Sequence, residues 1–163
     1  MMVTGVADAA AANIEMTATD GELGTLLISG IETITVSASG GFDASYSLST
    51  PAAKSITINS AADTVASDAN SGTVTITSDL AEALNINAEG GLVINDNTNK
   101  LSKLTAVNIN SQTANKSVDL TYLTTAATAS SADGIIINIR GVGDASIGAV
   151  SYTHLTLPTT GSV

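Results

Sequence analysis

Apolar residues recur along this chain in a fixed phrase. In ISGIETITV the apolar positions are Ile28, Ile31, Ile34 and Val36, and in LSKLTAVNI the residues Leu101, Leu104, Val107 and Ile109 fall on the same spacing. Two weaker copies lie between them: TPAAKSITI keeps Ala53, Ile56 and Ile58, and SDLAEALNI keeps Ala81, Leu84 and Ile86. The copies begin at positions 28, 50, 78 and 101, steps of 22, 28 and 23 residues. Each ends in strict alternation, such as Ile34 and Val36 against Thr35 and Ser37, which is the period of a strand with one face buried.

A second strand-like run follows each copy. These runs are FDASYSL (Phe42, Ala44, Tyr46, Leu48), TVTIT (Val74, Ile76), LVIN (Leu92, Ile94) and SVDLTYL (Val118, Leu120, Tyr122). Turn material separates them, as at Gly40-Gly41, Asp63 to Gly72 and Gly90-Gly91. Each unit therefore reads strand, polar turn, strand, and a two-strand unit cannot bury its apolar face without a neighbour. The expected fold class is all-β, a parallel β-solenoid of two-strand repeats. An antiparallel β-sandwich is the alternative, since short strands at this spacing fit it too. Equivalent positions matching from copy to copy favour the solenoid and predict that Ile34, Ile56, Leu84 and Val107 point inward on equivalent strands.

Composition sharpens this picture. The 163 residues are 44% hydrophobic with a mean hydropathy of +0.31, so the chain folds rather than remaining disordered. Aromatic content is only 2% with no Trp, so the core is built from Ala, Val, Ile and Leu in thin repeating layers. Fifteen Asp and Glu against five Lys and Arg give a net charge of −10. A polyanion without clustered Lys and Arg is not a nucleic-acid binder. The absence of cysteine removes disulfides, thiolate metal sites and Cys nucleophiles together. The opening MMVTGVADAAAANIEM has no basic stretch followed by an apolar run, so neither a signal peptide nor a membrane span is expected there.

Units such as LISGIETITVSASG and LSKLTAVNINSQTANKSVDLT, in a Cys-free acidic background rich in Thr, Ala and Asn, resemble the L-x-x-[FIV]-E-T-[LI]-x-[LV] repeats of bacterial surface-layer proteins. They are similar also to the repeats of large type I-secreted, RTX-associated adhesins. The resemblance covers roughly residues 14–148. It implies an extracellular or cell-surface location and a structural or adhesive role. The partners it implies are self-assembly or neighbouring repeats of the parent chain, together with a cell-surface glycan. Leucine-rich repeats share part of the spacing but continue with a ladder Asn, where Ser39 and Gln112 stand here.

RTX proteins bind calcium through G-G-x-G-x-D-x-U-x nonapeptides, and no intact copy is present. The nearest approaches are GGFDASYSL around Asp43, GVGDASI around Asp144, and NDNTNK with Asp96, Asn97 and Asn99. Each reads first as an Asx or Gly turn and second as a weak calcium site. No cofactor intrinsic to this chain is expected, and calcium belongs, if anywhere, to the longer parent. No catalytic residue is expected either. A hydroxyl nucleophile needs a base within reach, and the available carboxylate pairs, Asp20 with Glu22 and Glu82 with Glu89, lack the aromatic side chains on which sugars stack. The alternative function is glycan binding or cleavage by a β-helical domain of the tail-spike or lyase type.

The last segment differs from everything before it. VSYTHLTLPTT holds the one histidine, His154, and the string GTC TCT TAT ACA CAT CTG ACG CTG CCG ACG A encodes Val150 to Thr159 and opens a codon compatible with Thr160. That string resembles the transposon-end adapter of sequencing libraries. The expectation is that residues 1–149 are a repeat β domain, a fragment of a longer protein of metagenomic origin, and that residues 150–163 are an adapter-derived tail. Tyr152, Leu155 and Leu157 are not expected to continue the repeat, and Pro158 cannot donate to a ladder.

Overall fold

The computed structural model describes residues 2–17, 22–39, 45–60, 72–95, 101, 103–113, 117–122, 135–146 and 154–156. Among these there are twelve strands and no helix: β1 (Met2–Thr17), β2 (Glu22–Ser39), β3 (Ser45–Ser49), β4 (Ser55–Ser60), β5 (Gly72–Thr77), β6 (Ala83–Ala88), β7 (Leu92–Asn95), β8 (Ala106–Ser111), β9 (Ser117–Tyr122), β10 (Ile136–Gly141), β11 (Asp144–Ser146) and β12 (His154–Thr156). No helix among the described residues is long and apolar enough to cross a membrane.

Alternation of small polar and β-branched residues makes these segments strands, and the pairing follows the repeat. All strands belong to one sheet in the order β11-β9-β7-β5-β3-β2-β4-β6-β8-β10-β12, with β1 paired to β2. Apart from β1, which stacks on β2, the odd-numbered strands form one arm and the even-numbered strands the other. Long β2 belongs to both: Glu22–Leu27 pairs with β3 and Thr33–Ala38 with β4. Between those halves Gly30 has a φ of +73°, a left-handed conformation that favours glycine and lets the strand turn the corner. The sheet is nearly closed into a barrel-like shape around a single core.

Every pairing is parallel, which removes the antiparallel sandwich. Ile34 stands opposite Ile56, Ile56 opposite Leu84, and Leu84 opposite Val107, and all four side chains are fully buried. The neighbouring column of Val36, Ile58, Ile86 and Ile109 is buried beside it. On the odd arm, Leu48 pairs with Ile76, and Ile94 completes that inner face. The core thus consists of aliphatic columns whose members stand about 4.8 Å apart, the inter-strand distance, which explains how a chain almost without aromatic residues fills its interior.

The weaker copies are buried as thoroughly as the apolar ones. Thr50 and Ser78 occupy the places of Ile28 and Leu101, and both have no exposed surface. The Ser78 hydroxyl donates to the carbonyl oxygens of Thr50 (2.8 Å) and Ala53 (3.1 Å), so a polar atom in the core is satisfied by the turn of the preceding unit. These turns also stack. Lys54 N donates to Glu32 O, Glu82 N to Lys54 O and Thr105 N to Glu82 O, at 2.8 to 2.9 Å.

The sheet extends beyond the four expected copies. At one end β1 pairs with β2, aligning Ala12 with Ile34 and Ile14 with Val36. At the other end β10 pairs with β8, aligning Ile137 with Val107. Its run, IIINIRG with Ile135 included, is not preceded by the spaced apolar positions of the other copies, which is why the spacing alone did not reveal it. In the tail, β12 pairs with β10 over three residues and aligns Leu155 with Ile137. The physical reason is that ladder hydrogen bonds are made by the backbone, and an open edge such as that of β10 accepts three residues of almost any sequence.

Candidate functional site

The outward face of the even arm carries the most ordered polar chemistry of the described residues. Two columns run across its strands. One contains Thr35, Thr57, Asn85, Asn108 and Asn138, and the other Ser37, Asn59, Asn87, Asn110 and Arg140. Both arise because inward positions alternate with outward ones, so a residue two places along each strand returns to the same face.

The amides link from strand to strand. Asn138 Nδ2 donates to Asn108 Oδ1, Asn108 Nδ2 to Asn85 Oδ1, and Asn87 Nδ2 to Asn59 Oδ1, each at 2.8 Å. Asn85 Nδ2 reaches Thr57 Oγ1 at 3.4 Å, and Asn59 Nδ2 reaches Ser37 Oγ at 2.9 Å. An asparagine amide has two donor hydrogens and an oxygen with two lone pairs, so a side chain that spends one of each along the ladder still has one of each to offer a ligand. The columns border a shallow depression of about 640 Å³, lined among others by Asn85, Asn87, Asn108, Asn138 and Arg140. Arg140 is exposed and is the only charged group of that lining among the described residues.

The odd arm presents hydroxyls instead. Thr25, Ser45, Ser47, Thr73 and Thr75 line a second depression of about 460 Å³. Beneath it, Tyr46 is buried, and its hydroxyl finds no hydrogen-bond partner. Burial pushes its ionisation far above the usual tyrosine range, because the phenolate would have to form without solvent.

The sequence candidates divide as follows. Asp43, Asp96 and Asn99 lie outside the described residues. Asp144 begins β11 and is exposed. No group of three His, Cys, Asp or Glu side chains among the described residues could hold a metal ion. Asp20 is outside the described residues, so its pairing with Glu22 is not defined. Glu82 and Glu89 flank β6 at opposite ends, a separation of roughly 20 Å for seven extended residues, and they cannot act as an acid and base on one bond. His154 contributes backbone pairing to Ile136.

The asparagine columns were missed in the sequence although their signal is present. Aligned on the buried positions, the copies read TITVS, SITIN, ALNIN and AVNIN, and the outward letters drift from Thr and Ser to Asn. The apolar letters define the repeat, and the polar ones carry the face. Compared with known proteins, the chain matches no family model, no curated protein sequence and no solved structure.

Proposed function

We propose that this chain is a section of a parallel β-solenoid serving as a structural or adhesive segment of a secreted or cell-surface bacterial repeat protein, of the surface-layer or large-adhesin kind. The observation that carries the reading is the unbroken register from Ile34 through Ile56, Leu84 and Val107 to Ile137, maintained while the unit length varies. Such a stack grows by adding units without redesigning the core, which suits a spacer or display element. The dense hydrogen-bonded ladders give rigidity without cysteine. The reading is tested on cells carrying the parent gene. Antibodies raised against residues 1–149 should label intact cells and lose their target after brief external proteolysis, and label confined to the cytosolic fraction would overturn it.

A second reading, glycan binding, draws on the amide-lined depression beside Arg140. Side-chain amides match vicinal hydroxyl pairs in both donor and acceptor, and the guanidinium would suit a uronate. A glycan array separates the two readings: retention of a neutral or uronic-acid polymer, abolished by substituting Asn85 and Asn108, favours binding, and a blank array favours the structural segment.

A further inference from the structure

The two ends of the stack fit each other, and we propose that copies of this chain associate head to tail, β1 of one copy adding beside β10 of another. The inference rests on reading the chain as a stackable repeat segment and names the contact through which it would stack.

The first observation is the shape of the ends. Among the described residues β1 pairs only with β2, and it reaches no farther back along β2 than Leu27, so Glu22–Leu26 of β2 are uncovered on that side. This end is stepped, with the even arm one strand ahead. At the other end, β11 pairs only with β9, while β10 is covered by β12 over Ile136–Asn138 alone. Without β12 that end is stepped the opposite way, with the odd arm one strand ahead. Placing β1 of a second copy beside β10 therefore leads β2 of the same copy toward β11, where the register that relates the odd strands sets Glu22 opposite Ser146.

The second observation is register. Continuing the alignment that relates every even strand puts Ala12 of the incoming copy opposite Ile137, Asn13 opposite Asn138, Ile14 opposite Ile139 and Glu15 opposite Arg140. Each pair is complementary. Asn13 is exposed and would extend the ladder that links Asn85, Asn108 and Asn138. Ile139 is only partly buried in the single copy, and Ile14 would cover it. The outer column runs Glu15, Ser37, Asn59, Asn87, Asn110, Arg140, so a carboxylate stands at one end and a guanidinium at the other, both exposed. Head-to-tail stacking joins them, whereas head-to-head contact sets like charges together.

The contact is heterologous and does not close, so it propagates to open filaments. Its competitor within the chain is β12, which offers three residues to β10 where β1 offers a run of nine, Ala9–Thr17, already extended on β2. Exchange of a short edge strand for a longer one is ordinary strand addition.

Sedimentation velocity on the full chain at low salt tests this. The wild type should form oligomers that grow with protein concentration. Arg140→Glu and Glu15→Arg should each weaken association by about tenfold or more, since like charges then face each other across the contact. An equimolar mixture of the two variants should recover association, because every junction in an alternating filament again pairs opposite charges, and the double variant should recover it alone. Circular dichroism of each variant separates a lost contact from a lost fold, and either single variant suffices if the other does not fold. A wild type that stays monomeric up to about 1 mM, variants that associate as tightly as it does, or a mixture that fails to recover would overturn the proposal. A monomer would leave both edges to neighbouring repeats of the parent chain, and surface labelling of cells could still succeed, so the two readings fail separately.

Discussion

Asn108 holds two neighbours at once: its Nδ2 donates to Asn85 Oδ1 at 2.8 Å while its Oδ1 accepts from Asn138 Nδ2 at 2.8 Å. The side chain is half-buried, so each bond replaces one to water and contributes modestly, about 0.5–1 kcal/mol. Asn108→Ala should therefore lower unfolding free energy by about 1–2 kcal/mol, measured by urea denaturation. Asn108→Asp should cost more than the alanine, because the carboxylate can accept from Asn138 but turns a second acceptor toward Asn85 Oδ1. An aspartate variant as stable as wild type would show that the amide orientation along the ladder is not fixed.

Adjacent residues on β4 should behave in opposite ways. Ile56 is fully buried between Ile34 and Leu84, whereas Thr57 faces outward between Thr35 and Asn85. Ile56→Ala leaves a cavity in a column that its neighbours cannot collapse to fill, and it should cost about 2–5 kcal/mol. Thr57→Ala removes a hydroxyl that accepts one long bond from Asn85 and should cost under about 1 kcal/mol. Thermal melts of the two variants check the order, and equal losses would contradict the alternation.

That alternation is the part of the fold written most plainly in the sequence. Ile34, Ile56, Leu84 and Val107 could be aligned because a closed-packed column tolerates only aliphatic side chains, and a shared core constraint leaves a shared spacing. The turns were harder. Ser78 and Thr50 look like breaks in the pattern, yet both are buried: the Ser78 hydroxyl donates to the Thr50 and Ala53 carbonyls of the neighbouring unit, a contact no local window contains, and the Thr50 hydroxyl is buried with no partner. The asparagine face was hidden for a different reason, since Thr, Ser and Asn all satisfy an outward strand position and only the register between strands shows that they form columns. Strand β12 was not legible at all, because what recruits it is the backbone edge of β10 rather than any side-chain pattern.

Two glycines with positive φ should respond differently to alanine. Gly24 has a φ of +71° with open space where a Cβ would stand, so Gly24→Ala meets only conformational strain, about 1 kcal/mol. Gly141 has a φ of +104°, and a Cβ there would lie 1.8 Å from the carbonyl oxygen of Ser111. That oxygen also accepts from Val142 N at 2.9 Å and Gly143 N at 3.1 Å, so the backbone cannot yield without breaking the link between β8 and the turn after β10. Gly141→Ala should cost more than Gly24→Ala, about 2 kcal/mol or above. Hydrogen exchange should localise the loss to the amides of β10 and that turn. Matching costs at the two positions would mean that the end of β10 can move away from β8.

Tyr46 should be a liability that becomes visible in base. Its hydroxyl is buried without a hydrogen-bond partner, and its ionisation is held above the usual value of about 10 by desolvation. Because the folded-state value is the raised one, the native state keeps its proton where the unfolded chain gives it up. Stability is thus unaffected below about pH 10 and falls by up to about 1.4 kcal/mol per pH unit above it, until the folded-state value is reached. Tyr46→Phe removes the titrating group and the unpaired hydroxyl together. At neutral pH the variant should equal the wild type or exceed it by about 1 kcal/mol, since no bond is lost and a buried polar atom disappears. Between about pH 10 and 11 its advantage should widen. Paired urea melts at pH 7 and pH 10.5 measure this. A phenylalanine variant weaker than wild type at pH 7 would mean that the Tyr46 hydroxyl has a partner in solution, most simply a buried water.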